Sequence, residues 1–125
     1  MYPAALFSNL ENTVIKTIAL LRAKPGMTRE QFAEHWLHVH GPLSLGVPGI
    51  RTYIQNHIVR QRPPRQDIPA IDAQIDGFVE MWYDSMEDYE RASASPEIKA
   101  LHADGAIFIG GVDGYFVEEK TIIKR

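Results

Sequence analysis

Three histidines lie within six residues of the sequence, at His35, His38 and His40, and Gly41 and Pro42 follow directly. Such a cluster could bind a metal ion or transfer protons, because imidazole is a common metal ligand and its unperturbed pKa lies near neutrality. The third interpretation is that these histidines only occupy the solvated end of a helix. The spacing separates these alternatives once the helix is placed.

The residues around the cluster predict a helix that runs from about Thr28 to His40. Thr28 is a favourable N-cap, and Gln31 three residues later completes a capping box. Apolar residues recur at the i, i+4 and i+7 spacing of a buried stripe: Phe32, Trp36 and Val39. Gly41 suits the position after the last helical residue, and Pro42 is expected to end the helix.

Helical geometry separates the three histidine side chains. Each residue of an α-helix advances by about 100°, so His40 lies roughly 80° from Phe32 on one flank of the stripe and His35 roughly 60° away on the other. His38 lies farther round and is predicted to face solvent. Because the side chains diverge and the sequence has no cysteine, we expect no metal site.

His40 is the best candidate for acid–base chemistry. It borders the apolar stripe, so it could face a pocket between the helix and a sheet, where Trp36 one turn earlier would form a wall. There it could transfer a proton as a general acid or base. The alternative is that His40 only stabilises the helix C-terminus, where the macrodipole favours a cation and would raise the pKa of the imidazole.

A second strand, predicted from Ile50 to Val59, supplies two further candidates. Alternation places Ile50, Ile54 and Ile58 on one face, with Arg51, Tyr53, Gln55 and His57 on the other. Tyr53 and His57 are separated by roughly 13 Å along the strand, so they could hold opposite ends of one ligand. Tyr53 could donate a hydrogen bond to a carbonyl or enolate, and His57 could act as a base or hold a carboxylate. Alternatively, Tyr53 is a core residue with its hydroxyl at the rim, and His57 marks where the strand reaches solvent.

The third strand, predicted at residues 77 to 83, places Glu80 and Trp82 on one face. An unpaired buried carboxylate is costly, so Glu80 either pairs with a cation such as Arg22 or Arg51 or lines a polar cavity. Trp82 either packs in the core or stacks on a flat ligand. His35 is a further candidate for ligand contact, and His102 is predicted to lie on the surface.

The remaining elements complete the pattern β-α-β-β-α(α)-β. The sequence predicts a first strand at residues 13–22, an exposed loop at 61–75, helices from Ser85 and from Ser95-Pro96, and a last strand that begins near Tyr115. This is the split βαβ, ferredoxin-like pattern of a single α+β domain, with a four-stranded antiparallel sheet and helices on one face. The other face of the sheet carries apolar residues, so we expect it to pack against a second copy in a homodimer.

Composition excludes several classes of function. The net charge is −3 and no stretch concentrates Lys and Arg, so we expect no nucleic-acid binding. We predict no signal peptide, no membrane span and a cytoplasmic protein, which fits the absence of cysteine. The sequence contains no P-loop, no G-x-S-x-G elbow and no dinucleotide-binding fingerprint, and no histidine lies in a haem motif. The prediction is therefore chemistry without a cofactor.

Four stretches of the chain resemble the EthD-like members of the dimeric α+β barrel superfamily: IKTIALLRAKPGMTREQFAEHWLHVHGPL, PGIRTYIQNH, DGFVEMWYDSMEDYE and FVEEKTII. The most specific part is the H-x-P-L motif that starts at His40, followed by PG-x-x-x-Y-x-x-N with Tyr53 at its tyrosine. The resemblance covers roughly residues 14 to 123 and leaves residues 1–12 as an N-terminal extension. It implies a homodimer in which two sheets form a barrel, and a pocket in each subunit that the motif histidine faces.

The resemblance implies small-molecule chemistry without fixing one reaction, since the superfamily includes monooxygenases, cyclases, dehydratases, isomerases and haem enzymes. We expect either cofactor-independent acid–base catalysis (isomerisation, dehydration or cyclisation) or oxygenation of an aromatic, polyketide-like or lactone-like substrate. The alternative is a non-catalytic ligand-binding or accessory protein of a degradation pathway. The predicted catalytic residues are His40, Tyr53 and His57, and the predicted substrate contacts are Trp36, Trp82, Glu80 and His35.

Overall fold

The computed structural model describes residues 13–125, so the predicted N-terminal extension, residues 1–12, lies outside the described residues. Four strands and three α-helices of seven or more residues are present: β1 (Ile15–Ala23), α1 (Arg29–His35), β2 (Ile50–His57), β3 (Gly77–Tyr83), α2 (Met86–Ser93), α3 (Pro96–Phe108) and β4 (Ile109–Val117). Residues 59–74, between β2 and β3, are exposed and irregular.

The four strands form one antiparallel sheet in the order β2-β3-β1-β4. This order and the βαββαβ chain path confirm the predicted ferredoxin-like α+β fold. Strands β3 and β1 are central, while β2 and β4 form the two edges. None of the helices within residues 13–125 is long and apolar enough to cross a membrane.

The helices cover one face of the sheet, and the core lies beneath them. Alternate residues of β1 and β3 point into this core, including Leu21, Val79 and Tyr83. On the helix side they meet Phe32 of α1, Trp36 in the turn that follows α1, and Leu101 and Phe108 of α3. The opposite face, here called the open face, carries residues from all four strands: Lys16, Leu20, Ile54, Phe78, Glu80, Trp82 and Tyr115. The chemistry of a buried site therefore has to lie on the helix side.

A register shift in β2 changes which side chains share a face. The pairing of β2 with β3 is irregular between Ile50 and Thr52. Ile50 packs against one helix-side core cluster and Tyr53 against the other, so both point toward the helices. The prediction that Ile50 lies opposite Tyr53 is therefore wrong, because an irregularity in pairing interrupts simple alternation. The strand also ends at His57 rather than Val59.

The first helix begins as predicted and continues farther than predicted. Thr28 accepts a hydrogen bond from the Gln31 backbone N–H, and the Gln31 side chain accepts one from the Thr28 N–H, so the capping box is complete. After α1 the chain forms a π-turn at Trp36–His40 and a last helical turn at Gly41–Leu43. Gly41 and Pro42 therefore do not end the helix. Gly41 lacks the Cβ that would clash with the ring of the following proline, so it can stay helical before Pro42.

The π-turn changes which residue faces the core. The Gly41 N–H bonds to the Trp36 carbonyl, five residues back, so this turn contains one residue more than an α-helical turn. His40 consequently occupies the direction that Val39 would have in a regular helix. His40 is only 7% exposed, whereas Val39 is 49% exposed. The predicted stripe is correct for Phe32 and Trp36 and wrong for Val39.

Candidate functional site

A cavity of about 800 Å³ lies between the sheet and the helices. Its floor comes from β1, β3 and β4, and its roof from α3 and the π-turn. Most of the lining is apolar, and the interior polar groups include the side chains of His40, Tyr53 and Tyr83. Both the volume and the few polar groups in an apolar lining are typical of small-molecule sites in proteins.

His40 is held at the cavity wall by a carboxylate from another helix. Its Nδ1 atom lies 2.8 Å from Oδ2 of Asp104 on α3, and both side chains are about nine-tenths buried. The carboxylate accepts a hydrogen bond, so the neutral imidazole carries its proton on Nδ1 and its lone pair on Nε2. Among the described residues, Nε2 has no hydrogen-bond partner. His40 is therefore oriented as a proton acceptor in the cavity.

The pKa of His40 is lowered, and burial of the imidazole is the largest cause. The hydrogen bond and charge of Asp104 oppose the shift, while the nearby imidazoles of His35 and His102 add to it. This direction is opposite to the expected one, because burial disfavours the charged imidazole and because helical turns continue beyond His40 to Leu43, so His40 does not lie at the helix C-terminus. The neutral, basic form of His40 is therefore favoured near pH 7.

His35 and His38, the other two histidines of the cluster, take separate roles. The Nε2 atom of His35 lies 3.1 Å from both carboxylate oxygens of Asp104, and its ring contacts the tilted ring of Phe108 with the centroids 4.6 Å apart. His38 is exposed and lies 3.8 Å from Glu34. His35 thus contacts the carboxylate behind the cavity rather than the cavity itself. No three His, Asp or Glu side chains in residues 13–125 converge as a metal site.

Tyr53 lines the same cavity and is held by an amide. The Gln55 Nε2 donates to the Tyr53 hydroxyl at 3.2 Å and to the Trp36 carbonyl at 2.8 Å. Burial raises the pKa of Tyr53, while Gln55 and the Trp36 indole oppose the shift. Tyr53 therefore stays protonated at neutral pH and can donate its O–H to a ligand. The indole N–H of Trp36 is buried and has no hydrogen-bond partner of good geometry among the described residues.

His57 lies behind Trp36 and does not line the cavity. Its ring stacks on Trp36 with the ring centroids 4.4 Å apart, and its Nε2 lies 2.8 Å from Oε1 of Gln55. Burial lowers the pKa of His57, which favours the neutral ring. The expected arrangement of Tyr53 and His57 at two ends of one ligand is not present, because the Trp36 ring covers His57. His57 instead orients the Gln55 amide.

Glu80 and Trp82 lie on the open face, outside the cavity. Glu80 pairs with Lys16 at 2.7 Å and accepts a hydrogen bond from Asn56, and these contacts lower its pKa. Trp82 packs against the Lys16 ammonium and donates its N–H to Glu119. The expected ion pair of Glu80 therefore exists, but its partner is Lys16 rather than Arg22 or Arg51. Neither Glu80 nor Trp82 contacts the space that His40 and Tyr53 share.

Three residues near the site were given no role by the sequence analysis: Gln55, His102 and Asp104. Asp104 could have been found, because it lies three residues after Leu101 and directly before Gly105 on the buried side of α3. A carboxylate beside a buried stripe requires a partner. His102, predicted as a surface residue, is exposed but borders the cavity and acts electrostatically on His40. Gln55 was placed on the correct face of β2 without a role.

Solved structures confirm the fold. An ethyl tert-butyl ether d (EthD) family protein from Bacillus halodurans C-125 matches with a TM-score of 0.67 and 28% identity over 86% of this chain and 100% of its own. A dimeric ferredoxin-like protein of unknown function from Thermobifida fusca YX matches with a TM-score of 0.63 and 16% identity over 86% of this chain and 92% of its own. SnoaB from Streptomyces nogalater, a cofactor-independent oxygenase, matches with a TM-score of 0.61 and 9% identity over 90% of this chain and 99% of its own.

No curated protein matches the chain significantly. The family model of the EthD domain matches residues 24–111, which include α1, the π-turn with His40, β2, β3 and the Asp104 of α3. This range covers more than two thirds of the sequence and contains His40, Tyr53, Gln55 and Asp104, whereas the lining residues of β1 before residue 24 and of β4 after residue 111 lie outside it. The chain therefore belongs to the EthD family.

Proposed function

We propose that this protein is an enzyme that transfers protons within an apolar small molecule bound in the cavity, using its own side chains. The observation that carries the proposal is the unpartnered Nε2 of His40, which a buried Asp104 orients in a cavity that Tyr53 also lines. A histidine that only stabilised a helix end would need neither the buried carboxylate nor the cavity.

The proposed step is the removal of a proton from a carbon next to a carbonyl group. His40 Nε2 takes the proton as the C–H bond breaks, and the electron pair moves to the carbonyl oxygen to form an enolate. Tyr53 donates its O–H to that oxygen, which stabilises the developing charge. Asp104 stabilises the imidazolium that forms. Return of the proton from His40 to another carbon completes an isomerisation. In a dehydration, the enolate electrons form the C=C bond as the β-C–O bond breaks, and His40 gives its proton to the leaving hydroxyl, which departs as water.

The lining of the cavity favours an aromatic, polyketide-like or lactone-like substrate. The side chains of Leu21, Val79, Met81 and Leu101 offer dispersion contacts to rings, while few polar groups are available to hold charged groups. The same deprotonation of a phenol would give an electron-rich anion that can react with dioxygen. One structural neighbour, SnoaB, is described as a cofactor-independent oxygenase, so oxygenation is the second reaction that the proposal includes.

We also propose that the protein forms a homodimer through its open face. Ile54 and Val117 on this face are 42% and 37% exposed, and they lie beside the partly buried Glu80 and Lys16. Neighbours of the same fold are described as dimeric. Such a contact would remove apolar surface from water while leaving the cavity on the helix side of each subunit.

The test is hydrogen exchange at carbon in D₂O, followed by NMR on a panel of aryl ketones, lactones and phenols. Wild-type protein should exchange the acidic C–H of at least one compound. His40→Gln should lose about 10²–10⁴-fold of that rate, the contribution typical of a general base. His38→Gln is the matched control, because His38 is exposed on the same helical stretch, and it should keep the full rate.

Binding and exchange together decide between the two function classes. Saturation-transfer NMR on the same panel measures binding independently of turnover. Binding without exchange would support the non-catalytic ligand-binding protein instead. An equal exchange rate in His40→Gln and wild-type protein would contradict the assigned role of His40.

A further inference from the structure

The mouth of the cavity lies between β4 and α3. The exposed residues in the cavity lining lie on these two elements and at the end of α2: Ser93, His102, Ala106, Val112, Gly114 and Tyr115. Deeper lining residues such as Trp36 and Val79 are almost fully buried. Because β4 is an edge strand, no further strand of residues 13–125 covers this side. A molecule from solvent would therefore enter beside β4.

Gly114 faces the inside of this mouth. It pairs directly with Ala19 of β1, and residues directly opposite each other in an antiparallel pair share a face. Ala19 packs against the helix-side core, so a side chain at position 114 would also point toward the helices. Two residues away on either side, Val112 and Phe116 pair with Leu21 and Thr17 and share that face. Gly114 thus leaves a gap between two larger side chains.

The local backbone does not require glycine at position 114. Its φ is not positive, and a Cβ built there meets no atom within 4 Å. Gly49 is the opposite case, with φ of +89° and a Cβ position only 2.4 Å from the Asp88 carbonyl oxygen. Glycine inside a strand is less stable than alanine, because it loses more backbone entropy on folding. No close contact with the described residues requires glycine at this position. The missing side chain instead leaves space at the mouth of the cavity.

We propose that Gly114 keeps the entrance of the cavity open, and that ligands reach His40 and Tyr53 between β4 and α3. The missing side chain sets the width of the entrance, since Val112 and Phe116 flank it on the strand and His102 and Ala106 border it on the helix. The inference rests on the proposed function only in taking the cavity as the ligand site. It concerns access and not the proton transfer.

Trp36 offers a direct measure of access. It is 1% exposed and lines the cavity, so a small neutral quencher can reach it by collision only by entering the cavity. The chain has two tryptophans, and Trp82→Phe leaves Trp36 as the single emitter while keeping a ring beside Lys16. Acrylamide quenching of Trp36 fluorescence, with lifetimes measured, gives the bimolecular rate constant for entry.

In the Trp82→Phe background, Gly114→Leu should lower this rate constant several-fold, and Val112→Ala should raise it. Asp113→Leu is the matched control, because it adds the same side chain one residue away on the open face, and it should leave the constant unchanged. Circular dichroism checks the fold of each variant, and the Val112→Ala result stands even if Gly114→Leu unfolds.

Three results would overturn the proposal. The first is that acrylamide does not quench Trp36 in the parent protein. The second is a quenching rate constant in folded Gly114→Leu that equals that of the parent protein. The third is a decrease in Asp113→Leu as large as the decrease in Gly114→Leu. None of these measurements needs a substrate, so the proposed entrance and the proposed proton-transfer function are tested independently.

Discussion

The Nδ1 atom of His40 lies 2.8 Å from Oδ2 of Asp104, although 64 residues separate the two in the chain. The same carboxylate also bonds to His35. One buried acidic group therefore fixes the direction of two histidines from a cluster of three, and it leaves only His40 at the cavity. This arrangement makes the proposed function testable residue by residue.

Asp104→Asn should lower the exchange rate on a responsive substrate by about 10²–10⁴-fold, as expected when a positioned base loses its orientation. The Asn amide can present its NH₂ to Nδ1, which would move the imidazole proton to Nε2 and remove the lone pair from the cavity. Nitrogen-15 NMR of the histidine rings reports the tautomer directly. Glu97→Gln, on an exposed first turn of the same helix, is the control. Full activity together with an unchanged tautomer in Asp104→Asn would contradict the assignment.

Tyr53→Phe should reduce the exchange rate by about 10²–10³-fold, the loss typical for one donor to a developing oxyanion. Binding should change little, because the ring that lines the cavity remains. Exchange by NMR and binding by saturation transfer separate these effects. If binding and exchange fell together, Tyr53 would be a packing residue and not a donor to the transition state.

Protein stability should fall on acidification below about pH 6.5, the ordinary pKa of histidine. Burial lowers the folded-state pKa values of His40 and His57, so the unfolded chain binds more protons than the folded chain in this range. Their contribution is fully present above the unfolded pKa and is lost as the pH falls through the folded pKa. Urea unfolding between pH 5 and 8 measures the slope. His40→Gln should flatten it, and an unchanged slope would show that His40 is not a buried neutral base.

Phe108→Ala should lower the free energy of unfolding by about 3–5 kcal/mol, the usual cost of emptying a buried aromatic site. The Phe108 ring is fully buried, and it contacts the rings of Phe32, His35 and His40. Ile107→Ala, at an exposed neighbouring position on α3, should change stability by no more than about 0.5 kcal/mol. Similar effects of the two substitutions in urea unfolding would contradict the packing described for α3.

Ile54→Asp should convert the proposed homodimer to a monomer, because it places a charge in the apolar part of the open face. Ile54 is 42% exposed and pairs with Glu80, so the new carboxylate would also repel an existing one. Light scattering coupled to gel filtration measures the mass. Leu45→Asp, at a more exposed position in the turn before β2, should leave the mass unchanged. A monomeric mass for the wild-type protein would contradict the proposed homodimer.

Local chemistry let the sequence predict most of the fold. The capping box of Thr28 and Gln31, the N-caps at Ser85 and Ser95, and the alternation of residues 77–83 all act between neighbours in the chain. Such interactions can be predicted from sequence because the partners lie within one turn or one strand. The family resemblance can be recognised for the same reason, since the H-x-P-L motif and the following strand are close together in the chain.

Only the tertiary structure decided which side chains meet. The π-turn at Trp36–His40 turns His40 inward and Val39 outward, and the Gln55 side chain from β2 bonds to the Trp36 carbonyl within that turn. Asp104 meets His40, and Lys16 rather than an arginine meets Glu80, because packing of α3 and pairing of the strands bring distant residues together. Helical periodicity predicts the direction of each side chain around the axis of a regular helix. It does not predict how an inserted residue, as in the π-turn, rotates the side chains that follow, or which residue of another element each side chain contacts. For that reason the sequence identified His40 as the residue of interest, and the fold supplied its carboxylate, its cavity and its entrance.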